Sequence, residues 1–398
     1  MSVSSHASHS PRLAVAMQRL GMPSEVWALR QIEGFDALAP ILVGWEAEPD
    51  ATLPQLEQRR VAAPFPPSGG LARRVAARAG LAWGRAPNRS EASAIRDALR
   101  GTDAALCHFG WTAMAVAAAM PRSYPVIWHM HGRDASVSLR WPGYRAGLRR
   151  HLRHAALLVT VGAHQLERLA PFGLPDRRVV LPCGAPLALF AAGPLPVQDD
   201  GRVRFASVGR LSPEKGMEET LAAFERIAPD LPGAELVLIG GGPLAGTLAA
   251  RAAAGPAAGR VRLTGPLPPA GVAAELARAH VYLQHSREIG GSVEGFGVTL
   301  AEAAAVGLPL LASATGGLID QIVEGENGHL FPAGDVAAQA ALMHALAADP
   351  ARRARLGEGA RRLAVRFDSA VQARRLQAEI LAALAARAAL PTGPGARQ

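Results

Sequence analysis

The chain has 398 residues, 49% of them hydrophobic and 19% charged, with a formal net charge of +9. That balance excludes a disordered or collagen-like chain, and the length exceeds a single hydrophobic core, so two domains of roughly 180–200 residues each are expected. The two cysteines, Cys107 and Cys183, form no Cys-x-x-Cys pair and no disulfide framework, which fits a reducing cytoplasm.

No basic and then apolar leader opens the chain, so no secretory signal is expected. Short apolar runs alternate with helical patterns, the grammar of an α/β protein with parallel sheets. In the first half, strands are expected at 13–17, 41–45, 104–108, 126–129, 157–161 and 179–182. The uncharged stretch 104–121 divides into a strand and an Ala-rich helix, too short for a membrane span. A Pro- and Gly-rich stretch follows, and the linker is placed at 187–202, ending the first domain at 186. Strands resume at 203–208, 235–239, 261–264, 281–284 and 308–311. Beyond 335 the pattern is helical, with helices at 336–348, 351–367 and 370–389. The second domain is set at 203–369, and the segment 370–390 is a helix able to cross back to the first. The tail 391–398 has the composition of a disordered end.

Charge is uneven along the chain. Residues 1–190 hold 22 arginines against 13 carboxylates, whereas 191–398 hold 20 basic and 20 acidic side chains. Part of the excess lies in a helical pattern at 144–154. Tyr144, Leu148 and Leu152 share one face there, and Arg145, Arg149, Arg150 and Arg153 crowd the others. Such a helix suits an anionic lipid surface, an anionic acceptor, or plain solvent. Arginine-richness across the chain reads as composition bias, and no zinc-finger, helix-turn-helix or RNP-like signature supports nucleic-acid binding.

The single lysine is Lys215, in Val208-Gly209-Arg210-Leu211-Ser212-Pro213-Glu214-Lys215-Gly216; the other 41 basic side chains are arginine. An ammonium is a compact charge with rotatable donors, suited to phosphate oxygens, although an isolated lysine is often only a surface residue. Here a strand ends at Val208 and a helix begins near Met217. Lys215 thus falls at a strand's carboxyl end, where open α/β sheets bind ligands. A second feature is Glu294-Gly295-Phe296-Gly297-Val298-Thr299-Leu300-Ala301-Glu302. Glu294 precedes a helix and Glu302 lies in it, and the glycines allow close approach of an anion to the first N–H groups.

Together these segments resemble glycosyltransferase family 4, retaining nucleotide-sugar transferases of GT-B fold. The similarity runs through VGRLSPEKG at 208–216, LVLIGGGPL at 236–244, VRLTG at 261–265, EGFGVTLAEAAAVGLPLLAS at 294–313 and EGENGHLFPAGD at 324–335, in order. The resemblance implies two Rossmann-like domains facing a central cleft, a UDP- or GDP-linked sugar donor, and a saccharide or lipid-linked acceptor. It implies no cofactor and no metal. Arg210 and Lys215 would hold the diphosphate, Glu294 the transferred sugar and Glu302 the ribose. The backbone of Gly295, Phe296, Gly297 and Val298, with Leu300, would add donor contacts. Charge growing on the leaving diphosphate would be met by two preorganised cations. A strict Asp-x-Asp metal motif is absent, with Glu46-Ala47-Glu48-Pro49-Asp50 a loose approximation.

The first half resembles the family more loosely. Val126-Ile127-Trp128-His129-Met130-His131-Gly132 matches a strand–His–Gly element, which places the sugar-facing histidine at His131 ahead of His129. Asp103 to Gly110 resembles an acceptor-side segment and makes His108 a candidate there. The family's usual Gly-Gly loop after the first strand is missing. Its place is taken by Pro23-Ser24-Glu25, similar to exopolysaccharide-type members, with Ser24 and Glu25 as acceptor-side candidates. The expected setting is cytoplasmic, with peripheral contact at the membrane's inner face. An alternative is an NAD(P)-dependent oxidoreductase, since Gly240-Gly241-Gly242-Pro243-Leu244-Ala245 fits a dinucleotide fingerprint. That motif expects a ribose-binding acid about twenty positions on, where Arg260, Val261 and Arg262 stand.

Overall fold

A computed structural model describes residues 10–22, 26–48, 53–63, 86–191 and 201–389. Ser24, Glu25, most of the expected linker and the tail lie outside them. The chain divides into two compact units. One is Met1–Val161, Gln165–Leu181 and Gln372–Gln398; the other is Gly162–His164 and Pro182–Val371. The second unit therefore starts ahead of the expected linker. The linker's first residues form a helical turn, Leu187–Phe190, in which Leu187 and Phe190 are buried.

In the first unit, β1 (Arg12–Leu20), β2 (Ala39–Ala47), β3 (Gln58–Arg60), β4 (Ala104–His108), β5 (Val126–Met130), β6 (Leu157–Thr160) and β7 (Arg178–Val180) form a parallel sheet. Its order is β3-β2-β1-β4-β5-β6-β7. Period-two alternation sends Leu13, Val15 and Met17 to one face and Ala14 and Ala16 to the other. Both faces are apolar because helices cover both. One cover is the carboxyl-terminal helix Ser369–Ala388, whose Leu376, Ile380 and Ala383 join the Leu13 face. Tyr144, Leu148 and Leu152 are fully buried, as their spacing predicts, in the helix Pro142–His151 and the turn after it.

The second unit repeats the plan with β8 (Val203–Val208), β9 (Ala234–Ile239), β10 (Val261–Leu263), β11 (Val281–Gln284), β12 (Leu310–Ser313) and β13 (Gly328–Phe331). The order is β10-β9-β8-β11-β12-β13, again parallel. In each sheet the strand order reverses at one point, beside β1 and β4 or beside β8 and β11. Ligands of such sheets bind off the carboxyl ends there. β3 and β13 are not anticipated from the sequence. Both are short edge strands, and Gln58-Arg59-Arg60 carries no apolar alternation. The helix expected at 351–367 ends at Ala364 and tightens into a 3-10 turn, Val365–Phe367.

Candidate functional site

The polar centre of the second unit lies at its reversal point. Lys215 Nζ donates to Glu294 Oε2 at 2.5 Å, and the same oxygen accepts from Ser286 Oγ at 3.1 Å and Gln284 Nε2 at 3.3 Å. The side chains are 26% exposed for Lys215 and 13% for Glu294. Burial pushes the Glu294 carboxyl up, but the Lys215 charge and the hydrogen bonds from Lys215, Ser286 and Gln284 outweigh it and hold the group below its usual value. Glu294 is therefore an anion at neutral pH, with its counter-charge attached. Lys215 reaches it from a 3-10 turn, Pro213–Lys215, closed by Gly216 at φ +62°. A Cβ on Gly216 would stand 1.8 Å from the His285 carbonyl oxygen, so only glycine lets the turn pass that close to the end of β11.

The helix Val298–Val306 is anchored around the same point. Tyr282 donates to Thr299 Oγ1 at 2.7 Å, and Thr299 in turn approaches the Val208 carbonyl at 3.4 Å. Gln321 Nε2 donates to the Phe296 and Gly297 carbonyls, fixing the turn before the helix. Val298 is half-buried and Glu302, also half-buried, lies on the helix itself. Leu300 is fully buried and its N–H is taken by the Gly297 carbonyl, so it serves the helix and offers nothing to a ligand. Phe296 is buried as well, against the Phe367 ring. Arg210 sits apart from the pair: its side chain is 66% exposed and bonds Glu214 at 2.8 Å. Sequence reasoning missed Gln284, Ser286, Tyr282 and Gln321. The available signal was the polar run Gln284-His285-Ser286 directly after an apolar strand that neighbours β8.

The glycine run 240–242 has a packing role. A Cβ on Gly240 would fall 2.0 Å from the Gly209 carbonyl oxygen, and one on Gly242 2.5 Å from that of Leu211. Leu211 N–H donates to the Gly241 carbonyl and Leu244 N–H to that of Leu211, so two strand-end loops are laced together. This accounts for the fingerprint-like spacing without a dinucleotide.

In the first unit the carboxyl ends of β4 and β5 bring His108, His129 and His131 together. His108 Nδ1 lies 3.0 Å from His131 Nε2, and the His129 and His131 rings are 4.2 Å apart. His108 and His129 are fully buried and His131 half-buried. His108, expected on the acceptor side, is thus enclosed and lines no open surface. Burial lowers all three, His108 to about 3, so the rings are neutral. The loop behind them hangs on buried Asp134, which accepts from the N–H groups of Gly110, His131 and Gly132 at 2.9–3.0 Å. Between strand and helix, Phe109 holds φ +69°, the one non-glycine with positive φ among the described residues. Such a conformation costs about 1–3 kcal/mol and marks a position held by its surroundings. Of the loose acidic run, Glu46 and Glu48 both pair with Arg19, and Asp50 lies outside the described residues.

Among the described residues no helix is long and apolar enough to cross a membrane. Residues 196–363 match the family described as Glycosyl transferases group 1, and residues 41–189 match Glycosyltransferase Family 4. The chain is 29% identical over 255 residues to a GDP-mannose-dependent alpha-(1-6)-phosphatidylinositol monomannoside mannosyltransferase of Mycolicibacterium smegmatis, covering 60% of this chain and 65% of that one. It is 28% identical over 302 residues to a GDP-mannose-dependent monoacylated alpha-(1-6)-phosphatidylinositol monomannoside mannosyltransferase of Corynebacterium glutamicum, covering 71% and 78%. The fold is similar to that of Anabaena HepE, solved with UDP and glucose, at a TM-score of 0.69 and 18% identity over 94% of this chain and 100% of that one. With both units matched in sequence and in fold, the chain belongs to glycosyltransferase family 4 and has the GT-B fold of two Rossmann-like domains.

Proposed function

We propose that the chain transfers a sugar from a nucleotide-sugar to a saccharide or lipid-linked acceptor, with retention of configuration. The observation that carries this reading is the Lys215–Glu294 pair at the reversal point of the second sheet, ringed by Ser286 and Gln284. Lys215 binds the diphosphate and offsets the charge that grows on it as the glycosyl bond breaks. Arg210, exposed on the same loop and bonded to Glu214, adds a second cation by turning from Glu214 to the phosphates. Glu294 orients the hydroxyls of the transferred sugar, Glu302 accepts from the ribose, and the backbone of Gly295, Gly297 and Val298 supplies donors at the helix start. His131, the least enclosed of the three histidines, is the one assigned to contact the transferred sugar. Lys215, joined by Arg210 once it turns, takes the part of a divalent ion at the diphosphate in this reading.

The names of the two mannosyltransferases favour GDP-mannose as donor and a phosphatidylinositol mannoside as the acceptor type, while the UDP in HepE keeps a UDP-sugar as the second reading. The arginines on the helix Pro142–His151 suit an acceptor held in an anionic leaflet. Thermal-shift titration with GDP-mannose, UDP-glucose, GDP and UDP tests the donor, because a ligand of the folded state raises the midpoint by mass action. Stabilisation by none of the four would reject nucleotide-sugar binding.

A further inference from the structure

We infer that His108, His129 and His131 form a binding site for one borderline divalent transition-metal ion of the zinc class. Each ring offers one nitrogen, and the three nitrogens lie within 4.8 Å of one another; among the described residues no other group of His, Cys, Asp or Glu side chains converges in this way. Two nitrogens bound to one tetrahedral ion with bonds of about 2.0–2.1 Å stand roughly 3.3 Å apart. His108 Nδ1 and His131 Nε2, at 3.0 Å, are already near that spacing.

The third ring supplies the independent observation. His129 is fully buried, and neither of its ring nitrogens has a hydrogen-bond partner. A neutral imidazole carries one donor and one acceptor, so a single proton shared between His108 and His131 leaves His129 unanswered. Burying such a group unpaired is costly. One cation accepts a lone pair from all three rings at once. Imidazole nitrogens select zinc, copper, nickel or iron over magnesium and calcium, which prefer oxygen.

The surroundings fit a preorganised site. Asp134 spends its carboxylate on three backbone N–H groups and so holds the loop bearing His131 instead of acting as a ligand. Phe109 in its positive-φ conformation fixes the exit of β4 directly after His108, and its ring meets His131 edge-on at 5.0 Å. Trp27 lies 4.0 Å from His131, giving the cluster an aromatic wall. Three nitrogen ligands leave a fourth position for water or a hydroxyl oxygen. The inference shares His131 with the sugar contact proposed above, but its test reads metal content alone, so it can fail without the nucleotide reading in the second unit failing.

Tag-free full-length protein, stripped with a chelator and dialysed against Zn²⁺, is assayed for metal content after gel filtration, and with Co²⁺ for the visible absorption of a low-coordinate nitrogen site. The expected result is one retained equivalent and a Co²⁺ band, both lost in His129→Gln and in His108→Gln, each checked for folding by circular dichroism. A wild-type protein that retains no Zn²⁺ and shows no Co²⁺ band overturns the inference, as does a folded variant that retains the same equivalent as wild type. If both variants fail to fold, the wild-type metal content and Co²⁺ spectrum decide between the first two outcomes.

Discussion

Glu294 and Lys215, 79 residues apart in sequence, share one short hydrogen bond that ties the loop after β8 to the turn before the helix Val298–Val306. A partly enclosed pair of this kind has consequences in both directions: removing either partner changes the charge state and freedom of the other.

Lys215→Ala is expected to lower turnover by about 10²–10³-fold, the usual effect of losing one preorganised donor to a developing anion. Arg210→Ala should act in the same direction without disturbing Glu294, because Arg210 is bonded to Glu214 instead. Steady-state kinetics on the purified variants, with circular dichroism to confirm folding, checks both. Near-normal turnover in Lys215→Ala would remove the diphosphate assignment.

Glu302→Gln should weaken binding of the free nucleoside diphosphate, by about 1.5–3 kcal/mol for the loss of charged hydrogen bonds to the ribose. Glu294→Gln should depress turnover but not weaken that binding, since it frees Lys215 from its counter-charge. Calorimetric titration with GDP and UDP separates the two. A reversed pattern means that the carboxylates have exchanged roles.

Adding Mg²⁺ or Mn²⁺ to chelator-treated enzyme is expected to leave the transfer rate unchanged, because Arg210 and Lys215 take the part of a hard cation at the diphosphate. A clear rise with either ion would show that the protein's own cations are insufficient.

A pH effect follows from His285. Its Nδ1 lies 2.6 Å from Gln339 Oε1 and its Nε2 accepts from the Gly334 N–H at 2.9 Å, which requires the neutral ring with the proton on Nδ1. Burial lowers its pKa, and this outweighs the opposing Gln339 hydrogen bond, with Glu219, Arg287 and Asp335 as the charged neighbours. The unfolded ring takes up a proton near pH 6.5, before the folded one does. Its contribution is therefore complete above about pH 6.5 and is lost as pH falls towards the lower folded value. Thermal midpoints measured from pH 7.5 to 5 should fall more steeply in wild type than in His285→Gln. Parallel slopes would exclude His285 as the cause.

Replacing Arg145, Arg149, Arg150 and Arg153 together by Gln should reduce flotation with vesicles rich in anionic lipid, each basic residue contributing on the order of 1 kcal/mol at low salt. Arg149, Arg150 and Arg153 are exposed and Arg145 half-buried, while the apolar face of that helix is consumed by the core. Wild-type protein that stays at the bottom of the gradient at low salt has no such surface.

The strands and the two loops that carry Lys215 and Glu294 were legible because their signals are local: an apolar run, then glycine, then a charged residue at a strand end. Lys215 and Glu294 could each be singled out this way, although their direct bond could not. What escaped depends on pairing across the chain. Gln284 and Ser286 look like any polar strand end until β11 is known to lie beside β8. His108 is singled out by resemblance as an acceptor-side residue, and its contact with His131 emerges only when β4 and β5 stand side by side. β3 is bound only by its edge position, with no apolar pattern to announce it.

The helix Ser369–Ala388 carries a consequence for biosynthesis. Leu376, Ile380 and Ala383 complete the core that β1 begins with Leu13, Val15 and Met17, so the first unit needs side chains that are made only after every strand of the second unit. At about 5–20 residues per second, roughly 10–40 s separate Leu181 from Ala383. Once β13 ends at Phe331 the second unit has its strands, while the Leu13 face of the first sheet is covered only in part, by Ala28, Leu29 and Ile32 of the helix Val26–Glu33. The first unit should therefore finish folding after the second, and depend the more on chaperones while it waits for that helix.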